Sequence, residues 1–124
     1  MLLQVHAKRV ALTLRREIPG VRRVLLARTD GLPFHDEVVD EAAPVSDQES
    51  ASAVVAAMLG LAEYVSETSR HGELGSAIVR SADGCLAVYR AGAHHVLAIY
   101  AEPNVNLVLL DRLARKLVAD LAAA

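Results

Sequence analysis

The chain has a single cysteine, Cys85, so no intrachain disulfide can form. A reducing compartment is the default setting for such a sequence. Tryptophan is absent, and the aromatics are Phe34, Tyr64, Tyr89 and Tyr100. The core must therefore be aliphatic, built from Leu, Val, Ile and Ala. No apolar run reaches the roughly 18 residues that a membrane-spanning helix needs. The opening MLLQVHAKRVAL sets its basic residues after two leucines, and no apolar region of about seven or more residues follows, as a secretory signal requires. A cytoplasmic protein is expected. The net charge of −2 argues against a dedicated nucleic-acid binder.

Catalytic motifs are also missing. There is no GxxxxGK[ST] phosphate loop, no GxGxxG after a strand and no GxSxG elbow. His94 and His95 are adjacent in a strand pattern and so point to opposite faces, which prevents joint chelation of one metal. Cys85 begins a strand and reads as a small hydrophobe, with no local cation to activate it. Asp30 and Asp83 each sit in an Asp-Gly turn, where local hydrogen bonding explains them better than acid–base work. The expectation is a protein that is not an enzyme, with no cofactor and no metal.

What is present is a globular composition, 53% hydrophobic and 23% charged over 124 residues. That length suits one domain, residues 1–124, with room for a real core. Leu3, Ala7, Val10, Ala11, Leu14 and Ile18 share one face of a helix over 2–18, ended by Pro19-Gly20. Val21–Arg28 is a strand, Thr29-Asp30-Gly31 a turn and Leu32–Val39 the return strand, with Pro33 at an edge or bulge position. Asp40–Asp47 is an acidic loop containing Pro44. A helix over Gln48–Arg70 follows, capped by Ser46 or Asp47 and ended at His71-Gly72. Leu74–Ser81, Cys85–Arg90 and His94–Ala101 form a meander of strands joined by tight turns. The last is nearly continuous in apolar residues, as a strand covered on both faces would be. A final helix spans Val105–Leu121, with Asn104 as N-cap. The class is α/β (α+β), in the order α-β-β-α-β-β-β-α, with one five-stranded antiparallel sheet flanked by helices.

The helix over Gln48–Arg70 organises the rest. Its spacing assigns Ala51, Val54, Val55, Met58, Leu61, Ala62 and Val65 to a face on the chain's own sheet. A second face, Ala53, Ala57, Gly60 and Tyr64, has no element left in the chain to meet. Small residues there allow another backbone to approach closely. A second copy of the same helix is the expected occupant.

Charge is segregated along the chain. Residues 1–28 hold seven of the 13 Lys and Arg, with Glu17 as the one acid, while residues 30–73 hold ten acids against Arg70 alone. Such asymmetry can steer a partner. Two solvated faces that attract each other within the fold or across a dimer are the favoured reading, since charge placement seldom identifies a partner.

Several segments in this order resemble a known family. VRRVLLARTDGLPF matches its opening hairpin, and SAVVAAMLGLAE its Ala-rich central helix. GELGSAIVR, DGCLAVYRAG and HVLAIYAEPNVNLVLL match the strands and the last helix. Together these resemble the roadblock / dynein light chain family, in particular its bacterial, small-GTPase-associated branch. The resemblance implies a profilin-like sandwich in which the first and last strands meet mid-sheet. It implies homodimers formed through the central helix and the following strand. It further implies a non-catalytic signalling adaptor that binds a Ras-like small GTPase and modulates its cycle. Bacterial members are often encoded beside a GTPase, and at least one type accelerates its hydrolysis.

On that resemblance the dimer interface comprises Ala53, Ala57, Gly60 and Tyr64 with Ser76, Ile78 and Arg80 on the next strand. The candidate GTPase surface is Leu59, Glu63, Ser66, Glu67 and Arg70, for which a plain solvated face is the alternative. The second functional reading is a small-molecule-sensing domain of the PAS/GAF type. A sensor needs a few polar groups pointing into an apolar pocket, and the inward positions here read as Ala, Val, Leu and Ile.

Overall fold

The computed structural model describes residues 2–40 and 46–123. The chain runs α1 (Gln4–Glu17), β1 (Val21–Arg28), β2 (Pro33–Val38), α2 (Gln48–Thr68), β3 (Ala77–Ser81), β4 (Gly84–Ala91), β5 (His95–Ala101) and α3 (Leu107–Ala123). This is the order expected from the sequence. All strands join one sheet in the order β2-β1-β5-β4-β3, with every neighbouring pair antiparallel.

The sheet centre is β1 beside β5, the two strands richest in consecutive apolar residues. Val24–Ala27 and Val96–Ile99 have no exposed surface because both faces are covered. On one face Val24, Leu26, Tyr89, Leu97 and Ile99 pack under α1 and α3. On the other, Leu25, Ala27, Val88, Val96 and Ala98 pack under Ala51, Val55 and Leu59 of α2. The fold is thus three layers, with two helices on one side of the sheet and one on the other.

Turn chemistry fixes the hairpins. Gly31 takes φ +93°, which favours glycine, and the Asp30 carboxylate accepts from the Leu32 N–H at 3.3 Å. Across β1 and β2, Leu26 pairs with His35 but Ala27 pairs with Pro33, so Phe34 is the extra residue of a bulge. Pro33 therefore sits at the edge position that its missing N–H allows. The Gln4 side chain donates to the Phe34 carbonyl at 2.7 Å and helps close that edge.

Several boundaries differ from the sequence reading. Of the two caps the sequence offers for α2, Asp47 is the one used, its side chain accepting from the Ser50 N–H at 2.8 Å. The helix ends at Thr68, because Arg70 adopts a left-handed φ of 57° ahead of Gly72 at 83°. β3 starts at Ala77 rather than Leu74, leaving Leu74–Ser76 as connection. Asn106, not Asn104, caps α3: its side chain accepts from the Leu109 N–H at 3.1 Å after a turn in which Val105 N–H meets the Glu102 carbonyl. The acidic loop expected over Asp40–Asp47 falls largely on residues 41–45, outside the described residues.

Candidate functional site

α2 carries more apolar residues than one sheet-facing stripe can hold. Its buried positions are Ala51, Ser52, Val55 and Leu59. The contact stripe is therefore rotated round the helix from the expected one, and Val54, Leu61 and Val65 lie outside it. Their exposures are 60%, 66% and 54%. They join Ala53, Ala57, Gly60 and Tyr64, all exposed, in one uncovered face. The face expected to meet a partner is thus larger than the sequence suggested. The reason is physical: a helix apolar on most of its circumference has no periodic signal to orient it, and here the sheet accepts the narrow Ala51/Ser52/Val55 side.

The α2 face continues onto the sheet edge. Val79 pairs with Leu86, and Leu86 packs in the cluster under α2, so Val79 points to the α2 side. Val79 is exposed and was missed in the sequence reading; its pairing register across β4 is the signal that places it. Ile78 and Arg80 are exposed too, but alternate to the α3 side, and Ser76 is half-buried just before the strand. Among the described residues, the outer edge of β3 receives no hydrogen bond. The β2 edge carries Pro33 and the Gln4 contact, so the two edges of the sheet are unequal.

The second candidate set is only partly brought together. Leu59 is 1% exposed and belongs to the core, because it is one turn on from Val55 along the buried stripe; it cannot contribute to a surface in this fold. Glu63 is half-buried and engaged by Arg90, with Arg90 Nε donating to Oε2 at 2.6 Å and Nη2 to Oε1 at 2.8 Å. Those bonds hold the Glu63 carboxyl below its usual range, and Arg90 Nη1 also ties down the Ala93 carbonyl at 2.9 Å. The Ser66 hydroxyl donates to the Gly72 carbonyl at 2.7 Å, bracing the end of α2. Glu67 and Arg70 remain exposed.

Two of the groups considered for chemistry, Asp30 and His95, have partners within the fold. Asp30 is drawn down by the Leu32 N–H and then by Arg28. Burial pushes the Cys85 thiol up, away from reactivity. His95 packs edge-on against Phe34, with ring centroids 4.7 Å apart, and burial lowers its pKa. Among the described residues no cluster of His, Cys, Asp and Glu could hold a metal ion. No described helix is long and apolar enough to cross a membrane.

A cleft of about 1010 Å³ opens beside Arg23, Val79, Asp83 and Tyr100. Arg23 offers little to a ligand there. Its Nε and Nη2 donate to Asp36 and its Nη1 to the Ser46 carbonyl. The guanidinium of Arg23 is thus committed to the fold, while Ser81, Asp83 and Tyr100 also line the cleft.

A sequence profile of the family described as Roadblock/LC7 domain matches residues 9–101. A search of curated proteins gave no match. Among solved structures, the gliding protein MglB of Thermus thermophilus superposes with a TM-score of 0.83 at 16% identity, covering 99% of this chain and 92% of that one. A structure described as MglB with tetrameric arrangement gives 0.81 at 17% identity, covering 99% and 92%. A Roadblock/LC7 domain from Streptomyces avermitilis gives 0.77 at 18% identity, covering 90% and 91%. At these identities the structural likenesses speak for the fold.

Proposed function

The chain belongs to the Roadblock/LC7 family, and on that premise we propose that it is a non-catalytic homodimeric adaptor that binds a Ras-like small GTPase and modulates its cycle. The observation that carries this reading is the uncovered α2 face, Val54, Ala57, Leu61, Tyr64 and Val65, running on to the open edge of β3. A monomer gains nothing by exposing that apolar surface, and contiguous patches of this kind mark interaction sites. Two copies meeting there would bury both helix faces and join their sheets through paired β3 strands. A cytoplasmic setting goes with this role. The likeness to a structure described as a gliding protein, and to one with a tetrameric arrangement, supports an assembling rather than a catalytic part.

Gly60 supplies the test. It lies on the exposed face, and a side chain added there meets nothing within 4 Å in the single chain. Gly60→Glu should leave the folded monomer intact, or stabilise it by up to ~1 kcal/mol through helix propensity. Across a paired helix the same side chain buries a charge at close contact. Light scattering should show a dimer for the wild type and a monomer for Gly60→Glu. A wild-type monomer at high micromolar concentration would remove the dimer. For the partner, GTP turnover by a small GTPase encoded beside this protein is measured with and without it. Unchanged turnover together with no binding would remove the regulatory role.

A further inference from the structure

The layer opposite α2 has a different character. The outward face of α1 carries Val5, Lys8, Arg9, Leu12, Arg15 and Arg16, all exposed; Glu17, exposed at the helix end, is the one acid of α1 and lines a groove with Arg112 and Lys116 of α3. Helical spacing puts Val5, Arg9, Leu12 and Arg16 in one line, at steps of four and three residues. α3 packs beside α1 and presents Val108, Arg112 and Lys116 on its own outer side, with the exposed Asp120 one turn beyond Lys116. Of these cations only Arg15 finds a carboxylate, Glu37 at 3.8 Å; Lys8, Arg9, Arg16, Arg112 and Lys116 form no ion pair with a described residue. Charges left together in this way repel one another unless an anionic partner neutralises them. Within the single chain, the segregated charges satisfy one another on this face only through Arg15 and Glu37.

We propose that the α1/α3 layer is a docking surface for an anionic lipid bilayer, bound peripherally with only shallow burial of its exposed aliphatic side chains. Three features favour a bilayer over an acidic protein. The cations are spread over two helices lying side by side rather than focused on one spot. The exposed apolar groups among them, Val5, Leu12 and Val108, are scattered aliphatic side chains rather than the clustered aromatic anchors typical of protein hot spots. The far side is less basic: α2 contains Glu49, Glu63 and Glu67 and no Lys or Arg, though Arg90 neutralises Glu63 and the exposed Arg70 follows the helix. An anionic plane would thus attract the α1/α3 layer more strongly than the α2 layer and leave the α2 face pointing away from the bilayer. The surface is complete in a single chain. In a dimer joined through β3, both α1/α3 layers fall on the same side of the shared sheet, so pairing would double the contact; that increment alone rests on the function proposed above.

The test is co-sedimentation of the full chain with phosphatidylcholine vesicles, with and without phosphatidylglycerol, at low and physiological salt. Binding is expected only to the anionic vesicles and should weaken with salt. Each Lys or Arg near an anionic surface contributes ~5-fold in affinity, so Arg9→Glu with Arg16→Glu should weaken binding ~30-fold or more. Both side chains are exposed, and the circular-dichroism melt of the double variant should match the wild type. Leu12→Ser should give a smaller loss. Gly60→Glu should still bind, whether or not it changes the oligomeric state, which separates this inference from the dimer. No sedimentation with anionic vesicles at low salt, equal binding to both vesicle types, or full binding by the Arg9/Arg16 variant would overturn it. So would stronger binding to polyglutamate than to the vesicles, which would assign the face to an acidic protein.

Discussion

Arg23 and Asp36 meet fork to fork across two strands, with Nε to Oδ1 at 2.9 Å and Nη2 to Oδ2 at 2.8 Å. They sit diagonally on β1 and β2 because Asp36 pairs with Leu25, two residues along from Arg23. Arg23 is 2% exposed, and its guanidinium lies 5.4 Å from the centre of the Tyr100 ring. The hydrogen bonds from Arg23 to Asp36 raise the guanidinium pKa further, against the opposing effect of burial. Removing one partner of such a pair leaves a buried charge uncompensated. Asp36→Asn is expected to cost ~3–5 kcal/mol in urea unfolding. Replacing both, Arg23→Leu with Asp36→Leu, should recover most of that loss. A small cost for Asp36→Asn would mean that water or another acceptor satisfies the guanidinium.

Tyr89 pins α3 to the sheet. Its ring is fully buried, and its hydroxyl donates to Asp111 Oδ1 at 2.9 Å while Arg115 Nε donates to the other carboxylate oxygen at 3.0 Å. Burial, reinforced by the bond to Asp111, pushes the phenol well above its usual range, so it stays a neutral donor. A hydrogen bond to a charged acceptor is worth ~1.5–3 kcal/mol. Because Asp111 keeps Arg115, Tyr89→Phe should fall at the lower end of that range in urea unfolding. The same substitution in an Asp111→Ala background should cost less, and equal costs in both backgrounds would deny the coupling.

Local signals in the chain located most of the fold. β1 is legible to its ends because a valine- and leucine-rich run lies between Pro19-Gly20 and an Asp-Gly turn. β5 declared itself central by its unbroken apolar run. What stayed hidden depends on three-dimensional register. The pairs Arg23–Asp36, Glu63–Arg90 and Tyr89–Asp111 join positions whose approach no local pattern encodes. The rotation of α2 was hidden for a different reason. Val54 and Val55 are equally apolar, and only the sheet beneath decides that Val55 goes in and Val54 stays out. Asn104 and Asn106 are equally good caps, and the turn at Glu102 selects the second. For the candidate site, Ala53, Ala57, Gly60 and Tyr64 were found exposed as expected, while Val79 needed the β4 register and Leu59 was misplaced with the rotation.

Glu63 and Arg90 should give a pH signature. The hydrogen bonds from Arg90 depress the Glu63 carboxyl below its usual value of 4.5. A depressed carboxyl contributes stability that is present above the unfolded value and lost as pH falls through the folded one. Both side chains are partly exposed, at 30% and 38%, so solvent screening keeps the effect to ~1 kcal/mol or less. Wild type should melt above Glu63→Gln at neutral pH, and the gap should close as pH drops below about 4.5. A gap that persists unchanged into acid would show that the contribution comes from packing rather than charge.

Leu59 and Leu61 are two residues apart on α2 and should respond in opposite ways. Leu59 packs on the sheet with Val55, so Leu59→Ala should cost ~2–5 kcal/mol at any protein concentration. Leu61 touches little in the single chain, and Leu61→Ala should change the stability of a monomer by no more than ~0.5 kcal/mol. If the exposed face is where two copies meet, dimerisation adds stability by mass action, and the wild-type melting temperature rises with protein concentration. Leu61→Ala should then flatten that dependence while leaving the dilute-limit melt in place. Leu59→Ala should lower the whole curve and keep its slope. A Leu61→Ala variant that loses stability equally at every concentration would place Leu61 inside the fold and withdraw the α2 face as a docking surface.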